Sequence, residues 1–236
     1  MDASGVQLTT RVALAIALLA PLASVVAIGV MVLLRDERPK ESQVARVMGA
    51  GLAGSVVGSL LVIACYVGLL GEAASGDISF GDWLRIDDFF IPAVFLVDTV
   101  SVSISLFAAF LTALIARFSR TYLHKEAGFI RFFVLLGVFA TGTQLVAFAG
   151  ALELFFAGWE LLGISSAFFI GFFHERDEPV RSSIRAFATY RLSDAGLLIA
   201  TVATLQLLGT ARCSAFGTAA ALPGSVTELR PRIKSG

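Results

Sequence analysis

Residues 132–173 run for 42 positions with only two charged side chains, Glu153 and Glu160. As a single helix the run would measure on the order of 63 Å, about twice the hydrocarbon thickness of a bilayer. It therefore has to fold back once, and residues 150–153 are where a tight turn fits, leaving two membrane spans. Four further runs are long and apolar enough to be read as helices in a membrane: residues 12–34, 47–71, 91–116 and 180–208. The first is longer than the apolar core of a secretory signal and has no clear A-x-A cleavage site, so it reads as a retained helix. The composition points the same way, with 57% hydrophobic and 15% charged residues and a mean hydropathy of +0.85. The expected fold class is an all-α integral membrane protein with about six transmembrane helices.

Lysine and arginine are distributed unevenly between the two sets of loops. Eleven lie in the first-to-second, third-to-fourth and fifth-to-sixth connections, and two, Arg11 and Arg85, lie on the opposite side. By the positive-inside rule the N-terminus is expected outside and the basic loops in the cytoplasm. The second-to-third loop is acidic (Glu72, Asp77, Asp82, Asp87, Asp88), has Trp83 and several Phe residues suited to an interface, and has room for a short hairpin. The chain divides into residues 1–90, two helices and an outer loop; residues 91–209, a core of four helices; and residues 210–236, a polar tail. The tail holds Arg212, Arg230, Arg232 and Lys234, falls on the outer side and breaks the charge rule. A truncated or frameshifted end is the expectation there.

Several function classes drop out. The net charge is zero, which offers nothing for nucleic acid. Cys65 and Cys213 are far apart and form no metal or disulfide framework. Gly49-Ala-Gly51-Leu-Ala-Gly54 fits the G-x-G-x-x-G spacing, and Glu72 follows at about the right distance for a ribose contact. However, a charged loop precedes these glycines where a buried strand is needed, and they open an apolar helix. Close helix packing through Gly54 and Gly58 explains them better. No cofactor and no metal are expected.

The information lies in the charges within spans. A charge at mid-membrane costs on the order of 3 kcal/mol on insertion scales, so such groups face a bundle interior and mark ion or proton paths. Glu160 sits about a third of the way along the fifth span. Burial makes its charge costly and a cation beside it makes that charge favourable; a carboxyl balanced between the two can take up and release a proton. Gly163, three residues on, allows a helix to approach closely, and Ser165 and Ser166 are placed to hold water. In the sixth span Arg191 and Asp194 share a face and can neutralise each other. The competing reading is structural, with these charges only tying helices together. Asp98 near a span end reads as a cap or interfacial residue, Arg181 and Arg185 as snorkelling at the cytoplasmic end, and His124 and His174 as solvated loop residues.

Four segments, in order, carry a family resemblance: FLVDTVSVSIS (95–105), EAGFIRFFV (126–134), FFAGWELLGISSAFFIGFF (155–173) and RAFATYRLSDAGLLIA (185–200). Over residues 95–209 the chain resembles the antiporter-like subunit L of bacterial complex I, which corresponds to mitochondrial subunit 5. Pro21 in the first span also fits. The resemblance implies a bacterial cytoplasmic-membrane protein whose partners are the other membrane subunits of a multi-subunit complex, the lipid bilayer and protons. It implies that Glu160 is the helix-five glutamate that pairs with a helix-seven lysine in proton transfer, and that Asp194 and Arg191 are helix-six charges coupling neighbouring units. Membrane subunits of Mrp-type cation/proton antiporters and of an inorganic-carbon uptake system share the pattern and stay open, as does a structural fragment that transports nothing. Family members are more than twice as long, and no helix-seven lysine occurs here. The expectation is therefore an unpaired, neutral Glu160 and a chain that does not pump alone.

Overall fold

The computed structural model describes residues 3–34, 38–71, 73–86, 89–208 and 213. Among these, six helices and one hairpin follow each other: α1 (Ala3–Leu34), α2 (Glu41–Tyr66), β1 (Gly76–Ile86), β2 (Phe89–Val97), α3 (Thr99–Tyr122), α4 (Phe129–Phe148), α5 (Leu152–Ile170) and α6 (Asp177–Leu208). Five of them, α1 to α5, are long and apolar enough to cross a membrane. At 32 residues α6 is long enough, but its first half is polar and charged (DEPVRSSIRAFATYRLSD). This is an all-α, multi-pass integral membrane protein with a small β appendage.

The helices zigzag, and several polar groups between them are paired as a lipid environment requires. Pro21 lies inside α1. It has no N–H, so the carbonyl four residues earlier, at Ala17, has no helical donor. Ser55 of α2 donates to that Ala17 carbonyl at 2.8 Å. The same face of α2 carries Gly51, Gly54 and Gly58. A Cβ on Gly58 would lie 2.8 Å from Ala17 Cα and 2.9 Å from the Ala13 carbonyl oxygen, and one on Gly54 would lie 2.9 Å from Ala20 Cβ. The glycine run is thus a close-packing face, as expected. One helix turn further, Ser59 pairs with Ser105 of α3 at 2.7 Å; Ser105 donates to Gln144 Oε1 of α4 at 2.7 Å, and Gln144 Nε2 donates to the Ser105 carbonyl at 3.0 Å. Three helices are joined by this buried chain.

Helix α3 is built inside out. Apart from Val102, its buried stripe is small or hydroxylated (Ser101, Ser105, Ala109, Thr112, Ala116, Ser119). Its exposed side is large and apolar, with Phe107, Phe110, Leu114 and Phe118. Small residues let helices approach, and the large ones are left to face hydrocarbon. Asp98 is its N-cap, accepting from the Ser101 N–H at 2.7 Å.

The boundaries shift from those expected. Residues 91–97 belong to β2, so the third span begins only after Asp98. Helix α2 starts at Glu41, inside the charged loop, and stops at Tyr66, before Gly68 at φ 80° and Gly71 at φ 146°. The hairpin pairs Gly76 with Val97 and bulges around Gly81. Its base rests on the α4–α5 turn, where Gly150 N–H donates to the Val94 carbonyl at 2.9 Å and Phe95 bridges Ala149. The fold-back of the long apolar run thus falls at residues 149–151. At the opposite end Glu41 meets His124 Nδ1 at 2.7 Å and the Lys125 N–H at 3.0 Å, while Arg131 donates to the Phe172 carbonyl at 2.7 Å and approaches His174 Nδ1 at 3.1 Å. Both histidines are exposed but partnered. The interface reading of Trp83 and the whole tail reading, Cys213 apart, lie outside the described side chains and residues.

Candidate functional site

The fifth and sixth helices are held together by one tight approach. Gly163 has no side chain, and a Cβ there would overlap the ring of Tyr190. The Tyr190 ring stacks on Trp159 with centroids 5.7 Å apart, and Trp159 stacks in turn on Phe155. The Tyr190 hydroxyl donates to the Trp159 carbonyl. One helix end is pinned by Ser183, which donates to the Ala167 carbonyl at 2.6 Å. Arg191 follows Tyr190 directly, so this packing fixes where its side chain goes.

It goes to Glu160. Arg191 Nη1 lies 2.7 Å from Oε1 and 2.6 Å from Oε2 of Glu160, and 3.3 Å from Oδ2 of Asp194. Its guanidinium rests over the Phe187 ring at 4.9 Å. Asp194 is nearly buried, and its Oδ1 accepts from Trp159 Nε1 at 3.0 Å. A membrane-depth indole N–H needs an acceptor, and the carboxylate supplies it.

The three residues singled out in the sequence, Glu160, Arg191 and Asp194, are therefore one cluster. The expectation of an unpaired Glu160 does not hold: its cation is Arg191, from the next helix. Glu160 is also nearer the middle of its helix than expected, because α5 already begins at Leu152, inside the expected turn, and ends at Ile170. Ser165 is fully buried and donates to the Leu161 and Leu162 carbonyls, so its hydroxyl serves its own helix. Arg181 and Arg185 are exposed near the start of α6. The sequence reading missed Trp159 and Tyr190 as positioning residues; the indole N–H beside Glu160 in an apolar run was the available signal. Among the described residues no three His, Cys, Asp or Glu side chains gather as a metal site.

Chemically, the cluster is a cation shared by two anions on two helices. Two carboxylates and one guanidinium leave a net charge that a single proton can neutralise. The guanidinium is within reach of both carboxylates at once. Fold and site define a polytopic helical membrane protein with a cluster of three charged side chains between its fifth and sixth helices.

Comparison with known proteins agrees. Residues 83–133 match the family described as NADH-ubiquinone oxidoreductase (complex I), chain 5 N-terminus, and residues 149–229 match the family described as NADH:quinone oxidoreductase/Mrp antiporter, transmembrane. The NADH-quinone oxidoreductase subunit L of Rickettsia felis is 27% identical over 192 residues, which is 81% of this chain and 28% of that protein. The NAD(P)H-quinone oxidoreductase chain 5 of Picosynechococcus is 27% identical over 65% of this chain and 23% of its own length. The NADH-ubiquinone oxidoreductase chain 5 of Paramecium tetraurelia is 32% identical over 46% of this chain and 19% of its own. The chain belongs to the antiporter-like complex I subunit family and matches its N-terminal part. It spans less than a third of the length of these relatives.

Proposed function

We propose that this chain takes part in proton translocation coupled to NADH:quinone electron transfer, as the N-terminal part of a subunit of the L type. The observation that carries this is the shared position of Arg191 between Glu160 and Asp194. While Glu160 is charged, it holds the guanidinium from the α5 side. When Glu160 takes a proton, that pull vanishes and Asp194, fixed by Trp159, keeps the cation. Loss of the proton reverses the exchange. A proton arriving on one helix is thereby converted into a displaced charge on the next, which is what coupling between units requires. Arg191 donates to acceptors on both helices and keeps its charge throughout, because a guanidinium stays protonated in proteins.

Partners are implied by exposure. The Arg191 side chain is 40% exposed although it lies at membrane depth. A guanidinium facing lipid is costly, so its open side is expected to be covered by other protein of the complex. The site, in this reading, is in a bacterial cytoplasmic membrane, with the N-terminus outside and the ends joined by Glu41–His124 and Arg131–Phe172 in the cytoplasm. The division at residues 90 and 209 places the whole cluster in the core of four helices.

The test is Glu160→Gln in the chain within its native complex, in inverted membrane vesicles. The expected result is a drop in NADH-driven acidification of at least about a hundredfold, the lower end of what a lost proton-transfer group costs, with the complex still assembled. Loss of assembly instead would assign the charges to helix ties. Intact electron transfer with sodium-dependent acidification would favour the antiporter branch of the family.

A further inference from the structure

Glu153 is the other carboxylate of the long apolar run, and the exchange between Glu160 and Arg191 does not use it. It stands in the first turn of α5, beside the α4–α5 turn on which the hairpin rests. An acid in a first turn is ordinarily a solvated partner of the helix dipole. Glu153 differs: its Oε2 is shielded from solvent and accepts no hydrogen bond among the described residues. A shielded acceptor without a donor costs about 1–3 kcal/mol, so a dipole partner would have turned outward.

Position supplies the reason for keeping it. Glu153 and Glu160 are seven residues apart, which returns the helix to within about 20° of the same face after about 10.5 Å. Ala157 lies between them on that face and is small. Glu160 uses this face to meet α6. Two turns beyond Asp194, α6 carries Thr201, a buried hydroxyl whose oxygen can still accept. By helix spacing, Glu153 on α5 and Thr201 on α6 lie on the faces that carry the Glu160–Arg191–Asp194 cluster, two turns nearer the hairpin end.

Building on the proton-translocating reading, we infer that Glu153 is a proton-relay carboxylate between the Glu160 cluster and the hairpin side of the membrane. The proton leaves a Glu153 oxygen as an O–H bond forms on the next acceptor of a water chain ending at Glu160, and the reverse step needs no other reactant. The titratable and charged groups facing this path are Glu160 on α5, Arg191 and Asp194 on α6, and Cys213 and Asp77 at the hairpin end, where Glu153 and Asp77 both act on the Cys213 thiol.

The experiment is NADH-driven acidification of inverted vesicles carrying the chain in its native complex, as a function of pH. Three variants are compared: Glu153→Gln, Glu153→Asp and Glu160→Gln. Glu153→Gln is expected to lose at least about a hundredfold, and Glu153→Asp to retain activity with a displaced pH profile. A polar tie would survive as glutamine, which keeps the same acceptor. Wild-type acidification and pH profile in Glu153→Gln, with Glu160→Gln inactive, overturns the relay and leaves the proposed function standing. Full activity in both overturns the proposed function as well. If Glu153→Gln fails to assemble, Glu153→Asp decides: an unchanged pH profile in an assembled complex overturns the relay.

Discussion

Arg191 of α6 reaches Glu160 of α5 at 2.6 Å, across two helices that each carry one of the two charges into an apolar environment. The same nitrogen is 3.3 Å from Asp194. The pair is partly open, with Arg191 40% and Glu160 18% exposed. Screening on the open side limits its worth, yet removing one member leaves the others uncompensated.

Non-additive stability follows. In the purified chain in detergent, Arg191→Met is expected to destabilise more than Glu160→Gln, because it leaves two carboxylates together. The double variant should be less damaged than the sum of the singles, by about 0.5–3 kcal/mol, the range for residues in direct contact. Chemical unfolding followed by tryptophan fluorescence measures it. Strictly additive losses would mean the contact is not formed.

Gly163 is expected to be intolerant of even one carbon. Gly163→Ala meets the Tyr190 ring, which is held by its stack on Trp159 and its hydrogen bond to the Trp159 carbonyl. The cost should be about 1–3 kcal/mol, as for other overpacked sites. Combining it with Tyr190→Ala should recover part of that loss in thermal unfolding. A mild Gly163→Ala with no interaction between the two sites would contradict the packing described.

The two ends of the glycine run should behave oppositely. Gly58→Ala drives a Cβ against the α1 backbone at Ala13 and Ala17, which cannot move aside as a flexible side chain can, whereas Gly49→Ala meets nothing within 4 Å. A lowered unfolding temperature for the first and none for the second is expected, with Gly49→Ala gaining helix propensity instead. A dinucleotide-binding loop would show the reverse sensitivity at Gly49.

Cys213 offers a pH readout outside the spans. Burial pushes its thiol above the usual thiol range, and the carboxylates of Asp77 and Glu153 push it further in the same direction. The thiolate is the reactive form. Alkylation should therefore be slow at pH 8 and still rise with pH beyond the ordinary thiol midpoint. Asp77→Asn should accelerate it at a given pH. Measurement by mass shift is clean in a Cys65→Ala background, although Cys65 is fully buried. A rate that levels off at or below the pH of a free-cysteine peptide would contradict the burial.

The spans were legible because bilayer thickness sets their length, and composition marks them without reference to any neighbour. The two glutamates of residues 132–173 were legible as costly, and one fold-back was obligatory. The start of the third span was misplaced, since residues 91–97 are as apolar as a helix core. Pairing with β1, the other arm of the hairpin, and contact with the Gly150 turn make them a strand, and the turn that anchors them is distant in sequence. Asp98 showed its role locally, as a cap does.

What the sequence alone determined was the class: apolar run lengths act through local composition, and the G-W-E and R-x-x-D segments carried the family resemblance. The i, i+3 pairing of Arg191 with Asp194 was likewise readable along one helix. What only the tertiary structure decided was the partner of Glu160. That depends on how closely α5 and α6 approach, which is set by a missing side chain at Gly163 and a ring at Tyr190, 27 residues apart. Helix periodicity places residues on faces, but only packing brings two faces within the 2.6 Å at which a guanidinium and a carboxylate become one unit.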